Sequence, residues 1–256
     1  MMIEFTGMIG SGKSTLARVL EQLLQDQNVM VLSPDRAVRR CVERSWIWKM
    51  IGRALPAAWR GRVFGLVLRA IMIVYKLAFA LQHPDLVRQV WAAQLHREIP
   101  WWHRRLIVRL FFDVAGTYQF LRRRLSPDEV VLFEEGLVHR AINVYAWEPR
   151  QLDPAQVMAY LRKLPPSDLV VLVQAPYELC VERAATRGLP LRLRDKDQQV
   201  IDRFLRHAAE IVATAAAFLV ATGRPMIEID NAGTLEDGAL RLREYVEHGE
   251  LSVPVV

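Results

Sequence analysis

The sequence has only two cysteines, Cys41 and Cys180, in 256 residues. Two isolated cysteines exclude a disulfide framework and a Cys-x-x-Cys motif. The absence of both is typical of a protein in a reducing compartment. A signal peptide is not indicated either, because an apolar strand is predicted from the second residue. We therefore expect a cytoplasmic protein.

Acidic residues are scarce in one long part of the chain. Positions 36–124 hold 18 Lys or Arg residues against four acids, so this segment has a net charge of +14. The rest of the chain then has a net charge of −8, because the whole chain has +6. Six of the seven tryptophans lie in the same segment. The basic character therefore belongs to one module. This charge favours a substrate that is anionic or presented on an anionic membrane. Nucleic-acid binding is disfavoured, because long apolar stretches separate the arginines.

A phosphate-binding loop stands at the start of the chain. An apolar run precedes it, and leucines and a valine recur at helical spacing after it, which is the strand–loop–helix context that the motif G-x-x-x-x-G-K-[ST] requires. The loop residues predicted to hold ATP are Gly7, Met8, Ile9, Gly10, Ser11, Gly12, Lys13, Ser14 and Thr15. Glycines let backbone N–H groups point inward, and the helix presents its positive end to the phosphates. Lys13 is predicted to reach the β- and γ-phosphates, and the Ser14 hydroxyl to ligate Mg²⁺.

Carboxylates follow the next two predicted strands. Asp35 comes after the strand at 29–32, and Glu134 and Glu135 directly follow the strand at 130–133. The carboxyl ends of parallel strands face the ligand crevice. Asp35 is predicted to be the catalytic base or to cap the next helix, expected at 37–48, and one residue can do both. Glu134 is predicted to hold Mg²⁺, while Glu135 is directed to substrate and is the other candidate base. Arg140 is expected one turn into the following helix, close enough to return to the crevice.

Arginines cluster after the fourth predicted strand, at 169–174. Arg187, Arg192 and Arg194 lie in a short connection that contains glycine and proline, typical of a mobile cover. Such side chains can neutralise the charge of a phosphoryl group in transfer. After the fifth strand, at 225–230, Asn231 begins a loop predicted to touch the base of a nucleotide.

The basic segment contains a long apolar helix. Positions 63–82 have about the length of a membrane span. Two charges inside the helix, at Arg69 and Lys76, argue against simple insertion. Arg62, Arg69, Lys76 and His83 recur every seven residues and predict one polar stripe. The helix either lies at the centre of a helical subdomain with this stripe along a cleft, or rests on a membrane surface or partner.

Five strands alternating with helices and opened by a phosphate-binding loop predict an α/β fold with a parallel sheet. Together with three sequence segments, this pattern resembles the thymidylate kinase and deoxynucleoside kinase group of P-loop kinases. The segments are the loop at 7–15, the strand ending at 133–140 and the strand and helix at 171–188. The substrate region at 36–124 shows no nucleoside-recognition pattern.

The resemblance implies a P-loop NTPase three-layer sandwich with strand order 2-3-1-4-5, and ATP with Mg²⁺ as cofactors. It also implies a lid that closes on the phosphates. We predict a helical insertion after strand 2. Residues 1–36 and 125–256 are predicted to form the kinase core, and residues 37–124 a basic, tryptophan-rich acceptor module.

The predicted function is transfer of the γ-phosphate of ATP to a small or lipid- or glycan-linked acceptor. A nucleoside or nucleotide kinase is the second hypothesis. A third, from another class, is an ATPase switch that regulates a membrane or nucleic-acid partner, although the sequence has no Asn-Lys-x-Asp motif for a GTPase. The pattern indicates no oligomeric state and leaves peripheral membrane contact open.

Overall fold

The computed structural model describes residues 1–95 and 100–247, without the side chains of Leu191, Arg192 and Leu235. In chain order the elements are β1 Met2–Gly7, α1 Lys13–Asp26, β2 Met30–Leu32, α2 Pro34–Arg44, α3 Trp46–Ala54, α4 Ala57–Gln82, α5 Pro84–Leu95, α6 Trp101–Arg124, β3 Glu129–Phe133, α7 Arg140–Tyr145, α8 Pro154–Lys163, β4 Leu169–Gln174, α9 Tyr177–Arg187, α10 Leu191–Arg194, α11 Gln198–Thr222, β5 Met226–Asp230 and α12 Leu235–Glu247.

The five described strands form one parallel sheet in the order β2-β3-β1-β4-β5. Runs of Val, Ile and Leu produce these strands because both faces of a parallel sheet are covered. The α/β fold class predicted from the sequence and the strand order implied by the resemblance are therefore confirmed. This order brings the ends of β1, β2 and β3 to one edge of the sheet.

Helices cover both faces of the sheet. On one face, Leu16, Leu20 and Leu24 of α1 are buried in a core shared with α12. On the other face, α7, α8 and α11 pack over a second, larger core. The result is the expected three-layer arrangement, with the phosphate-binding loop between β1 and α1.

A helical insertion follows β2, as predicted. Its long helices α4 and α6 pack side by side through aromatic contacts, with Phe79 edge-on to Phe111 at 6.0 Å and Tyr75 edge-on to Phe120 at 4.9 Å between ring centroids. Helix α2 begins at Pro34 and runs across the predicted boundary at position 36. The division into a core and an acceptor module stays a prediction.

The single helix predicted at 37–48 is wrong. Helix α2 ends at Arg44 because Ser45 adopts an extended backbone conformation, with φ −64° and ψ 140°. The Ser45 hydroxyl then accepts a hydrogen bond from the backbone N–H of Trp48 (3.3 Å) and caps α3. Serine is a strong N-cap because its side chain satisfies an N–H group that the helix leaves free.

The polar stripe predicted on α4 is only partly present. Arg62 and Arg69 are exposed, whereas Lys76 is half-buried and paired with Asp113 of α6, and His83 lies just after the helix end. A spacing of seven residues drifts about 20° per step on a straight helix. The drift carries the later members from the outer surface onto the side that packs against α6.

Two described helices are long and apolar enough to cross a membrane, judged by length and composition alone. They are Ala57–Gln82 (α4) and Gln198–Thr222 (α11). Helix α11 is largely a core helix, since ten of its residues, including Phe204, Leu205 and Phe218, are buried. Helix α4 is different, because only Phe64 and Phe79 are buried along its length.

Candidate active site

The phosphate-binding loop is held in a conformation that needs glycine. Gly10 and Gly12 have φ angles of 84° and 93°, in the left-handed region. A Cβ atom on Gly10 would stand 2.1 Å from the carbonyl oxygen of Cys180, and one on Gly12 would stand 2.3 Å from Nδ2 of Asn231. Neither position therefore tolerates a side chain. The first turn of α1 has no acidic residue and no side-chain cap, so no side chain of the helix competes with an anion at its positive end.

Lys13 lies inside the loop. It is buried, and its Nζ donates hydrogen bonds to the carbonyl oxygens of Gly7 and Met8, at 2.9 Å each. These contacts fold the side chain back over the loop, where it faces the space that the backbone encloses. Ser14 follows on α1 and is half-buried. The structure thus brings together the predicted phosphate-binding residues from Gly7 to Thr15.

A clamp from the far edge of the sheet supports the loop. The side-chain amide of Asn231, which follows β5, donates to the carbonyl oxygen of Ser11 (2.7 Å). Arg183 of α9 donates in turn to the carbonyl oxygens of Asn231 (3.0 Å) and Gly233 (3.2 Å). Asn231 is 2% exposed and therefore acts here as a support beneath the loop. Its contact with a nucleotide stays a prediction.

We predict that Gly10→Ala weakens ATP binding. The substitution places a Cβ against the backbone of Cys180 at a positive φ, a strain of roughly 1–3 kcal/mol that the loop must relieve by moving. Gly61→Ala is the matched control, because open space surrounds Gly61 within α4, where alanine favours the helix. The rise in melting temperature on adding ATP should shrink for Gly10→Ala alone. An unchanged rise would show that the loop does not bind ATP in this conformation.

Four polar residues gather at and beyond the end of β3. Glu134 is exposed there, while Glu135 is half-buried and contacts residues of the following segment. Its carboxylate lies 3.2 Å from Nη1 of Arg140 and 3.5 Å from Nε2 of His139. Arg140 begins α7, slightly earlier in its helix than expected. Because Arg140 holds Glu135, Glu134 is the carboxylate that is more accessible to a metal.

His139 is almost completely buried. Its pKa is lowered to about 4, mainly by burial; the charge of Glu135 acts in the opposite direction, and the charge of Lys13 in the same direction as burial. The imidazole is therefore neutral at pH 7, and its contact with Glu135 is not an ion pair. A neutral ring adds no charge beside the phosphate-binding loop.

This burial predicts a dependence of stability on pH. The unfolded histidine titrates near 6.5 and the folded one near 4, so the unfolded state binds more protons in between. The contribution of neutral His139 to the free energy of unfolding is fully present above pH 6.5. As the pH falls towards 4, the free energy of unfolding decreases by roughly 3 kcal/mol. Denaturant unfolding should show a shallower acid-side loss for His139→Gln than for the wild type. Equal slopes would mean that His139 is protonated in the folded protein.

A cavity lies between β2, β3 and the helical insertion. One lobe of about 420 Å³ reaches Glu134, Glu135 and Arg140, and a second of about 450 Å³ reaches Arg39 and Lys76. Asp35, Asp113 and Thr117 line both lobes and mark the place where they meet. Leu68, Met72, Leu110 and Val114 supply apolar walls. Sequence reasoning identified Asp35 here but missed Asp113, which lies in the middle of α6.

The charges in this cavity do not support the anionic acceptor that composition favours. Four carboxylates and three cations line its two lobes. Most of the basic residues of the 36–124 segment lie elsewhere, and of the cations in the cavity Lys76 is paired with Asp113 and Arg140 with Glu135. The +14 charge of the segment therefore does not describe the cavity, and it no longer favours an anionic acceptor there.

The described residues hold no group of three or more His, Cys, Asp or Glu side chains arranged to bind a metal ion. Mg²⁺ in phosphoryl-transfer sites needs only one or two protein oxygens, since phosphates and water complete its shell. The predicted pair, Ser14 and Glu134, offers a hydroxyl and an exposed carboxylate. This donor set fits Mg²⁺, and its role stays a prediction.

Two of the three predicted lid arginines, Arg187 and Arg194, do not line the cavity in this structure. Arg187 and Arg194 are exposed, and Arg194 donates from Nε to the carbonyl oxygen of Leu189 (2.8 Å) within its own loop. The side chain of Arg192 is outside the described part of the chain. Gly188, with φ 90°, ends α9 at the start of this loop. The lid role of all three arginines stays a prediction.

A buried acid in β1 was also missed. Glu4 accepts hydrogen bonds from the Ser167 hydroxyl and from the backbone N–H of Val138 (3.2 Å), and burial raises its pKa. A Cβ on Gly136 would overlap the Glu4 carboxylate, so only glycine fits there. Glu4 thus secures the turn that carries Glu134 and Glu135. The available signal was one acid inside an apolar strand.

No protein-family model matches the sequence, and no curated protein matches it significantly. Solved structures similar to this chain include deoxyadenosine kinase from M. mycoides with bound dATP, at 11% identity and a TM-score of 0.48, covering 96% of this chain and all of that one. The same enzyme with bound dCTP gives 10% and 0.43, covering 97% and 100%. With the products dCMP and a flexible dCDP it gives 12% and 0.45, covering 99% and 100%.

These neighbours are deoxynucleoside kinases, the group that the sequence resembles. At such identities the likeness concerns the fold alone, and with TM-scores below 0.5 we base the fold class on the strand order and the phosphate-binding loop of this chain.

Proposed function

We propose that this protein is an ATP-dependent kinase that transfers the γ-phosphate to a hydroxyl group of a small, uncharged acceptor of the nucleoside class. One observation carries the proposal. A phosphate-binding loop and a carboxylate-lined cavity lie at the same edge of one parallel sheet, where donor and acceptor can meet.

The lining of the cavity supports an uncharged acceptor. Carboxylates accept hydrogen bonds from hydroxyl and amino groups, and they repel a phosphate. The aliphatic walls at Leu68, Met72 and Val114 suit the face of a ring. A nucleoside offers both a ring and several hydroxyls. A neutral sugar shares the hydroxyls but has less apolar surface.

Each residue then has a role in the proposed reaction. Asp35 accepts the hydrogen bond of the attacking hydroxyl and orients its oxygen. Lys13 stabilises the negative charge that spreads over the transferring phosphoryl group. Asp113 holds the acceptor where the two lobes meet. Mg²⁺, held by Ser14 and Glu134, would neutralise phosphate charge when bound. Arg140 fixes Glu135 beside this site.

The acceptor class is tested by a paired screen with γ-labelled ATP. Nucleosides and neutral sugars are compared with their own monophosphates as acceptors, with lipid-linked sugars in a parallel series. We expect label to enter the nucleosides and not the monophosphates, because four carboxylates line the cavity. Transfer confined to phosphorylated or lipid-linked acceptors would overturn the nucleoside assignment while leaving a kinase in place.

A further inference from the structure

Helix α4 exposes a long apolar face that the proposed reaction does not use. Leu66, Ile73, Val74 and Leu77 are each between 58% and 62% exposed, and Leu81 is 83% exposed. In the most apolar stretch of this helix, mean hydropathy is 2.0 and only 11% of the residues are buried. Monomeric soluble proteins rarely leave a continuous patch of this kind uncovered.

The exposed residues form one stripe. At about 100° per residue, Leu66, Ile73, Val74, Leu77 and Leu81 fall within an arc of about 100°. Trp59, 57% exposed, lies in the same arc and extends the stripe to about 33 Å. The opposite side of α4 packs on α6 through Phe79, and Leu68 and Met72 line the acceptor cavity.

Exposed arginines border the stripe on both sides. Arg62 and Arg69 follow one edge about 20–40° outside the arc, and Arg60 lies about 40° beyond the other edge. The preceding helix, α3, has no buried residue and exposes Trp46, Ile47 and Met50. Aromatic and aliphatic side chains edged by arginine are typical of helices that lie in a membrane interface.

The charges around this face favour one binding partner over the others. Positions 44–84 hold seven Lys or Arg residues and no Asp or Glu. A second copy on the same face would bring like charges together, and this stretch supplies no acid to pair with them. Membrane insertion would carry the Lys76–Asp113 pair into hydrocarbon, where charges are costly. An anionic bilayer surface matches both the apolar stripe and its positive edges.

We propose that the outer face of α4 docks on the surface of an anionic phospholipid membrane. The apolar stripe enters the boundary between headgroups and acyl chains, while Arg62 and Arg69 contact lipid phosphates. The inner side of the same helix stays packed on α6 and keeps its place in the acceptor cavity. Docking thus anchors the protein without requiring that the acceptor be a lipid.

The experiment is flotation of the full chain with vesicles of phosphatidylcholine alone or mixed with phosphatidylglycerol. We expect binding to the anionic vesicles that high salt weakens. Arg62→Gln with Arg69→Gln should lower the partition coefficient roughly thirtyfold. Ile73→Gln with Leu77→Gln should also release the protein. Unfolding curves of each variant establish that the fold is retained.

Matched controls carry equivalent changes elsewhere. Val220 on α11 and Leu240 on α12 are comparably exposed apolar residues, and Arg162 and Arg243 are exposed arginines. Glutamine at either control pair should leave vesicle binding unchanged. The proposal is overturned if the wild type does not bind anionic vesicles at low salt, or if the control and test pairs lose binding equally. It is also overturned if sedimentation velocity shows a dimer that depends on Ile73 and Leu77. ATP turnover with a soluble acceptor is measured without vesicles, so a failure of docking is separate from a failure of the kinase proposal.

Discussion

Lys13→Ala should lower the rate of phosphoryl transfer at least a hundredfold while the protein stays folded. Lys13 is the cation within the phosphate-binding loop, and its Nζ donates to the loop carbonyl oxygens of Gly7 and Met8. Loss of a preorganised donor of this kind typically costs roughly 3 kcal/mol in the transition state.

The measurement is kcat and KM for ATP in a coupled assay, with circular dichroism to follow folding. Lys163→Ala is the control, because Lys163 is an exposed lysine at the end of α8. Normal turnover in a folded Lys13→Ala protein would rule out this loop as the catalytic site.

Asp35→Asn should lower kcat by about a hundredfold or more and leave the melting temperature nearly unchanged. Asp35 lies in the first turn of α2 and lines both lobes of the cavity. The capping role predicted for Asp35 is wrong, because Ser33 is the N-cap residue of α2 and Asp35 lies inside the first turn. Asparagine keeps the size of the side chain but cannot accept a proton, so the substitution tests the catalytic role.

Glu135→Gln is the comparison for this second prediction, since Glu135 is the other candidate base and is held by Arg140. A larger loss of kcat in Glu135→Gln than in Asp35→Asn would transfer the role of base to Glu135. A fall in melting temperature without a fall in kcat would limit the role of Asp35 to stabilising the N-terminus of α2 through its charge.

The sheet could be predicted from the sequence because its strands are local patterns. Runs such as Leu-Val-Val-Leu-Val in β4 are buried on both faces and leave few other structures open. The phosphate-binding loop is equally local, since its glycines and Lys13 stand within eight residues. In both cases the residues that the structure requires lie close together in the sequence.

The support of the site could not be predicted in this way. Asn231 reaches Ser11 across 220 residues, and Arg183 reaches Asn231 across 48. The pairing of Lys76 with Asp113 likewise depends on how α4 packs against α6. Composition assigned a positive charge to the whole segment, but packing decides which side chains face the cavity and which face outward.

In the proposed reaction, the γ-phosphate passes directly to an acceptor in the Asp35 cavity. The most direct measurement follows label from γ-labelled ATP during turnover with a nucleoside, comparing the amount of ADP with the amount of labelled acceptor. A kinase should yield labelled acceptor and ADP in equal amounts, and Asp35→Asn should reduce both together. Label released as inorganic phosphate at a rate that no acceptor changes would contradict the claim and identify an ATPase switch.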